Sequence, residues 1–312
     1  MTEPTSRPVV VRDVLDAMPA ESTAAVQGSA IGRILQPRRH GGFDVGATEF
    51  VSVVYKLAER DGSLGWLAAV FNAAAHEVAG LPEHVADAVW GAAPDALVAT
   101  SPRAGGSAVH DGHLTGRWET VVGAEHADWL LLPTDRGRVL VPRSGARIDP
   151  ATGRSGLGAA GIGAVTVSRL PVDERHIFTS RPDQMAVIAG AGAAAAVVGS
   201  ADGVWHKHVD QVRARLATSH GGDQVTDEAA AQVARAASDI DAAKLQVTMS
   251  VGLADPAAAR SAHQQAVARA RGAADHLLGS SRHALNASDP VTRMWSDVHA
   301  GCRLVLDAQP RR

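Results

Sequence analysis

The chain has 312 residues, a net charge of −3 and 46% hydrophobic residues. That length buries one large core or two to three smaller ones without disulfide or metal staples, and the charge argues against a nucleic-acid surface, which is normally basic. The single cysteine, Cys302, excludes an intramolecular disulfide, no apolar run approaches the ~20 residues of a membrane span, and Met1 to Arg7 is polar, so a cytoplasmic protein is expected.

Residues 8–93 read as helical. Leu57, Ala58, Leu64, Leu67, Ala68 and Phe71 keep a helical stripe that breaks at Asp61-Gly62-Ser63, where Asp61 or Ser63 can cap the next helix. Pro82, a favoured first-turn residue, opens a further helix that runs to Trp90. From about 94 to 178 the pattern changes. His110-Asp111-Gly112 is a turn between alternating segments, and Asp128 to Leu132 reads as a buried strand. Asp135-Arg136-Gly137 turns before Val139-Leu140-Val141, and Val165 to Leu170 alternates again. Several short strands with turns between them predict a compact β-barrel or sandwich. From about 181 to 309 the chain is Ala-rich and helical, with long runs at Ala229–Val251 and Pro256–Leu278 and breaks at Ser219–Gly222, Asp255-Pro256 and Asp289-Pro290. Six of the eleven Phe, Trp and Tyr residues are Trp, so the core is mainly Ala, Val and Leu, and each Trp marks a core anchor or a ligand wall.

Three runs occur in fixed order: Pro37-Arg38-Arg39-His40-Gly41-Gly42-Phe43, then Glu59 to Trp66, then Gly116-Arg117-Trp118-Glu119-Thr120-Val121-Val122-Gly123 with His126, Asp128 and Trp129 behind it. Together they resemble the acyl-CoA dehydrogenase superfamily, and within it the flavin-dependent monooxygenases typified by the oxygenase component of 4-hydroxyphenylacetate hydroxylase. Leu170-Pro171-Val172-Asp173 and Pro290 to Ala300 extend the resemblance towards the C-terminus. It implies an α+β fold: an N-terminal helical domain (1–93), a central β-barrel (94–178) and a C-terminal four-helix bundle (179–312) that assembles a homotetramer. It also implies reduced FMN or FAD, not covalently bound and delivered by a separate NAD(P)H-flavin reductase. O2 would be the co-substrate, and an aromatic or polyketide-like small molecule would be hydroxylated.

The same resemblance nominates site residues. Trp118, Val122 and Gly123 would lie along the flavin, with Trp118 as an aromatic wall, and Trp66 would join them. Ser101, in Thr100-Ser101-Pro102, would touch flavin and substrate. His76 would orient or deprotonate the substrate, as an imidazole titrating near neutrality can. Arg213 and Arg215 would reach the flavin phosphate or ring of a neighbouring subunit. The plain alternatives are a core Trp, a capping hydroxyl, a polar-face His and a basic helix end. Four departures stand out: Val121-Val122 where relatives carry small hydroxylated residues, Ser296 where they carry Arg, Leu304 near a later His, and an altered glycine-rich segment at Gly156–Gly163. His299 shares that last helix but reads as solvent-facing. These departures keep open a fold member that has lost flavin and works as a cofactor-independent enzyme or binding partner. An acyl-CoA dehydrogenase proper needs a Glu base, and the last 60 residues contain no Glu. Gly156-Leu157-Gly158-Ala159-Ala160-Gly161 and the run from Gly190 lack the strand-then-helix context of a dinucleotide site. His206-Lys207-His208 reads as surface, with no metal site expected.

Overall fold

The computed structural model describes residues 11–22, 26–103, 105–179, 182–219, 224–279 and 286–307, with helices at both ends of the chain and strands between. The first helices are α1 (Val11–Asp16), α2 (Ala47–Arg60), α3 (Gly62–Ala79) and α4 (Glu83–Trp90). Asp61 makes the α2–α3 break: its Oδ1 accepts the Leu64 N–H at 3.1 Å, an N-cap, while its Oδ2 accepts the hydroxyl of Ser22 at 2.6 Å. The basic run before α2 is structural. Gly41, at φ +88°, closes a turn whose carbonyl accepts from the Arg33 guanidinium, and Gln36 Nε2 donates to the carbonyls of His40 (2.6 Å) and Pro94 (2.8 Å). Asn72, fully buried on α3, accepts from Leu35 N and donates to the carbonyls of Ile31 and Ala68, so the irregular segment before α2 is tied to α3.

The strands are β1 (Val98–Thr100), β2 (Ala108–His110), β3 (His113–Val121), β4 (Trp129–Thr134), β5 (Gly137–Pro142), β6 (Arg147–Pro150), β7 (Gly163–Pro171) and β8 (Ile177–Phe178). Among the described residues they form two four-stranded sheets, ordered β1-β4-β5-β8 and β2-β3-β7-β6, which make up the compact β unit expected between the helical segments. The β2–β3 hairpin pairs His110 with His113 across Asp111 and Gly112, both at positive φ, the two-residue turn that matches strand twist. Trp118 on β3 is fully buried and its Nε1 donates to the Pro133 carbonyl of β4 at 2.9 Å, which links the two sheets. The β3–β7 register slips between Trp118 and Val121, a bulge of the kind that re-aims side chains beside sites.

The C-terminal bundle is α5 (Pro182–Thr218), α6 (Asp227–Ser250), α7 (Pro256–Gly279) and α8 (Pro290–Asp307). Asp255 and Asp289 accept backbone N–H groups at the starts of α7 and α8, each beside a first-turn proline. The centre of the molecule is α5, which packs against α2, α3, α6, α7 and α8. Part of α5 is long and apolar enough to cross a membrane, but 67% of that window is buried inside the protein. Gly192 lets Phe50 of α2 come close, since a Cβ there would stand 2.8 Å from its ring. The break expected at Ser219–Gly222 falls largely on residues 220–222, outside the described residues. The segment Gly156–Gly161 starts no helix. Leu157 N–H donates to Asp297 Oδ1 at 2.5 Å, so this glycine-rich loop docks the β unit onto α8.

Candidate active site

A cavity of about 650 Å3 opens where α3, the ends of both sheets, α5, α7 and α8 converge. Its volume falls in the range of small-molecule sites, roughly 300–1,000 Å3. The helical walls are made of small or apolar side chains: Trp66, Ala69, Val70 and Ala73 on α3, Ala186, Ala189, Gly190 and Ala193 on α5, and Leu304 and Val305 on α8. Residues 186, 189, 190 and 193 follow helical spacing, so one face of α5 forms a smooth wall. The β unit contributes Thr100, Ser101, Arg103, Trp118, Glu119, Thr120, Val122 and Arg138, and α7 contributes Arg260, His263 and Gln264.

Four of the residues nominated from the sequence meet in this cavity: Trp66, Ser101, Trp118 and Val122. Ser101 is 3% exposed, and its hydroxyl donates to the Arg103 carbonyl at 3.0 Å, so it shapes the loop as well as facing the space. The Trp66 Nε1 is buried with no hydrogen-bond partner among the described residues, a polar atom of the wall left unsatisfied. The rest do not join them. Gly123 is at φ +78° against Phe71, and its N–H donates to Ala160, so it terminates the strand behind the wall. His76 does not line the cavity. On α3 the inward face runs Trp66, Ala69, Val70, Ala73, Glu77, and the position expected for His76 is held by Glu77, whose carboxylate meets Arg138 Nε at 2.9 Å. Burial lowers the proton affinity of His76, with the Glu77 charge pulling the other way. Arg213 and Arg215 lie near the C-terminal end of α5, roughly 35 Å along the helix from Gly190, and cannot reach the cavity of their own chain. Arg213 is exposed and pairs with Asp210.

His299 is not solvent-facing. Its Nε2 stands 2.6 Å from Asp275 Oδ1, which also accepts Trp295 Nε1 at 2.7 Å, and the two rings lie 4.1 Å apart. Burial pushes the Asp275 carboxyl up, yet these hydrogen bonds hold it below its ordinary value. Nor is the run from His206 plain surface. Ligand atoms of Glu59, Asp202 and His206 lie within 4.8 Å of one another, and His208 is buried. The carboxylates come from another helix and an earlier turn, which the local run does not reveal.

Two features of the site escaped the sequence. The pair formed by buried Glu77 and half-buried Arg138 spans α3 and β5, and Arg138 Nη1 also donates to Thr100 Oγ1 and the Ser101 carbonyl, each at 3.2 Å. His263 is 4% exposed in the α7 wall and sits against Ser250, with burial pushing its imidazole down to about 4. A lone His in an Ala-rich helix carries no local signal of either.

A family model, Acyl-CoA dehydrogenase, C-terminal domain, matches residues 191–306, the bundle described above. The flavin-dependent monooxygenase oxygenase subunit HsaA of Rhodococcus jostii (strain RHA1) is 28% identical, across 92% of this chain and 87% of its own length. The counterpart from Mycobacterium tuberculosis is 28% identical over 92% of this chain and 84% of its own. Among solved structures, 3-HSA hydroxylase from Rhodococcus sp. RHA1 superposes with a TM-score of 0.81 at 26% identity, covering 93% of this chain and 87% of that one. XiaF from Streptomyces sp., solved with FADH2 and glycerol, shares the fold at a TM-score of 0.80 and 20% identity, over 94% of this chain and 88% of its own. The likeness is not confined to the bundle: the bundle matches the acyl-CoA dehydrogenase C-terminal domain, and over more than nine-tenths of its length the chain is similar to oxygenase components of flavin-dependent monooxygenases.

Proposed function

We propose that this oxygenase component binds reduced FAD or FMN in the cavity, taken from solution after a separate NAD(P)H-flavin reductase has reduced it, and hydroxylates an aromatic or polyketide-like small molecule with O2. FAD is the preferred form, supported by the FADH2 bound to the Streptomyces relative. The observation that carries the reading is the wall chemistry. Ala69, Ala73, Ala186, Ala189, Gly190 and Ala193 give the cavity walls of small side chains that leave room for a flat ring system, and Ser101 and Thr120 line the same space. When bound, the flavin supplies the activation of O2 and the transfer of one oxygen atom.

The chain does the rest. The small and apolar side chains of α3, α5 and α8 exclude water, and the stretch from Trp118 to Val122, at the end of β3, would offer backbone groups to the polar edge of the ring. Arg103 and Arg260 stand in the wall as cationic partners for a phosphate. In an assembled homotetramer, Arg213 and Arg215 would extend that role to a neighbour's flavin. A cytoplasmic setting, where Cys302 stays reduced, suits the supply of reduced cofactor.

Anaerobic titration tests this reading. Reduced flavin should bind more tightly than oxidised flavin, because the protein must capture it from solution. Ala189→Leu should weaken binding at least ten-fold while leaving the fold intact, since residue 189 is an exposed helical position facing the cavity. Unchanged affinity in that variant would remove flavin from the cavity.

A further inference from the structure

The two ring nitrogens of His263 are made unequal by its neighbours. Ser250, the last residue of α6, has its hydroxyl 2.6 Å from the Val247 carbonyl. A carbonyl has no hydrogen to give, so Ser250 donates its only hydroxyl hydrogen there. The same oxygen lies 2.7 Å from His263 Nε2 and can only accept. In the neutral imidazole, Nε2 therefore carries the proton and Nδ1 carries the lone pair. Nδ1 lies over Gly190 of α5, where a Cβ would stand 2.7 Å away. The missing side chain at Gly190 makes room for this ring edge, and both residues line the cavity. Among the described residues Nδ1 has no hydrogen-bond partner.

We propose that His263 Nδ1 is the hydrogen-bond acceptor that holds a hydroxyl of the substrate, and that Ser250 is the positioning residue that fixes its tautomer. The proposal rests on the reading of the cavity as the hydroxylation site and adds a selectivity to it. A neutral acceptor favours a phenolic O–H over an ether, which has no hydrogen, and over a carboxylate or phenolate, which would face a lone pair. Burial keeps the ring neutral at neutral pH. The charged side chains facing the same space are Glu77 from α3, Arg103, Glu119 and Arg138 from the β unit, and Arg260 one turn earlier on α7. The described lining of α5 and α8 brings none.

Calorimetric titration of the full chain under anaerobic conditions, with and without reduced flavin, tests it using 4-methylphenol and 4-methylanisole as probes. Wild-type protein should prefer the phenol by about ten-fold, the effect of one hydrogen bond to an otherwise unpartnered acceptor. His263→Leu should bring that preference close to unity while anisole binding changes little. His263→Asn, whose amide oxygen can accept, should restore part of it. Ser250→Ala should reduce the preference several-fold without touching anisole binding, a result that loss of packing alone would not give. Thermal unfolding of each variant checks that it folds. No phenol preference in the wild type, or a preference kept in His263→Leu, overturns the proposal. Reduced flavin that fails to bind while the phenol preference persists would instead count against the cofactor reading and leave His263 assigned.

Discussion

Asp297 shows how much one side chain can report. It lies where α8 meets the loop at Leu157 and the start of α3, with a Cβ at Gly62 standing 2.6 Å from its Oδ2. Burial pushes its carboxyl up to about 6, the Asp61 charge adds to this, and the Leu157 N–H and Arg293 oppose it. The folded pKa lies above the ordinary carboxylate value, so the stabilisation belongs to the protonated form. It is complete below about pH 4 and is lost as pH rises through about 6. Asp297→Asn keeps an acceptor for Leu157 and removes the ionisation. Its apparent Tm should match wild type near pH 4 and exceed it at pH 8, by an amount equivalent to roughly 1–3 kcal/mol. Parallel Tm curves from pH 4 to 8 would show that Asp297 ionises freely in the folded protein.

At the level of elements, the contact between α3 and β5 depends on Glu77 and Arg138, whose side chains are 6% and 18% exposed. Glu77→Gln leaves a half-buried guanidinium without its counter-charge, and urea unfolding should find it about 1–3 kcal/mol less stable. Replacing both partners with apolar residues, Glu77→Leu with Arg138→Met, should recover most of that loss, because neither charge is then stranded. A single variant as stable as wild type would mean that the pair contributes nothing to docking. Such pairs mark the limit of what was legible in the chain. The order of helices and strands could be read because periodicity, Asp61, Pro82, Asp111-Gly112 and Asp289-Pro290 act on their immediate neighbours. Trp66, Ser101, Trp118 and Val122 could be placed at one site because a family pattern carries them. The inward face of α3 could not be read, since it is chosen by Arg138, sixty-one residues away. The same holds for His263, whose meaning comes from Ser250 at the end of α6 and Gly190 on α5.

Over the whole molecule, the outer face of α6 carries Leu245 and Met249, 63% and 66% exposed and one turn apart, with Leu253 beyond them and Leu306 of α8 60% exposed. Apolar surface of this kind on a bundle supports assembly through it. Leu245→Asp combined with Met249→Asp should convert the expected homotetramer into smaller species in light scattering, with secondary structure unchanged. An unaltered mass would place the interface elsewhere. If Arg213 and Arg215 serve a neighbour's flavin, the dissociated variant should also lose flavin affinity. Equal affinity in the two forms would confine the binding site to one chain.

No single unit owns the cavity: one wall comes from α3, another from the sheet ends, and others from α5, α7 and α8. A ligand held there acts as a keystone, since it can bind only after every unit has docked. Its binding free energy is then shared by the entire chain, and stability becomes a function of ligand concentration. In scanning calorimetry, a saturating ligand should raise the melting of all units together and merge any separate transitions into one.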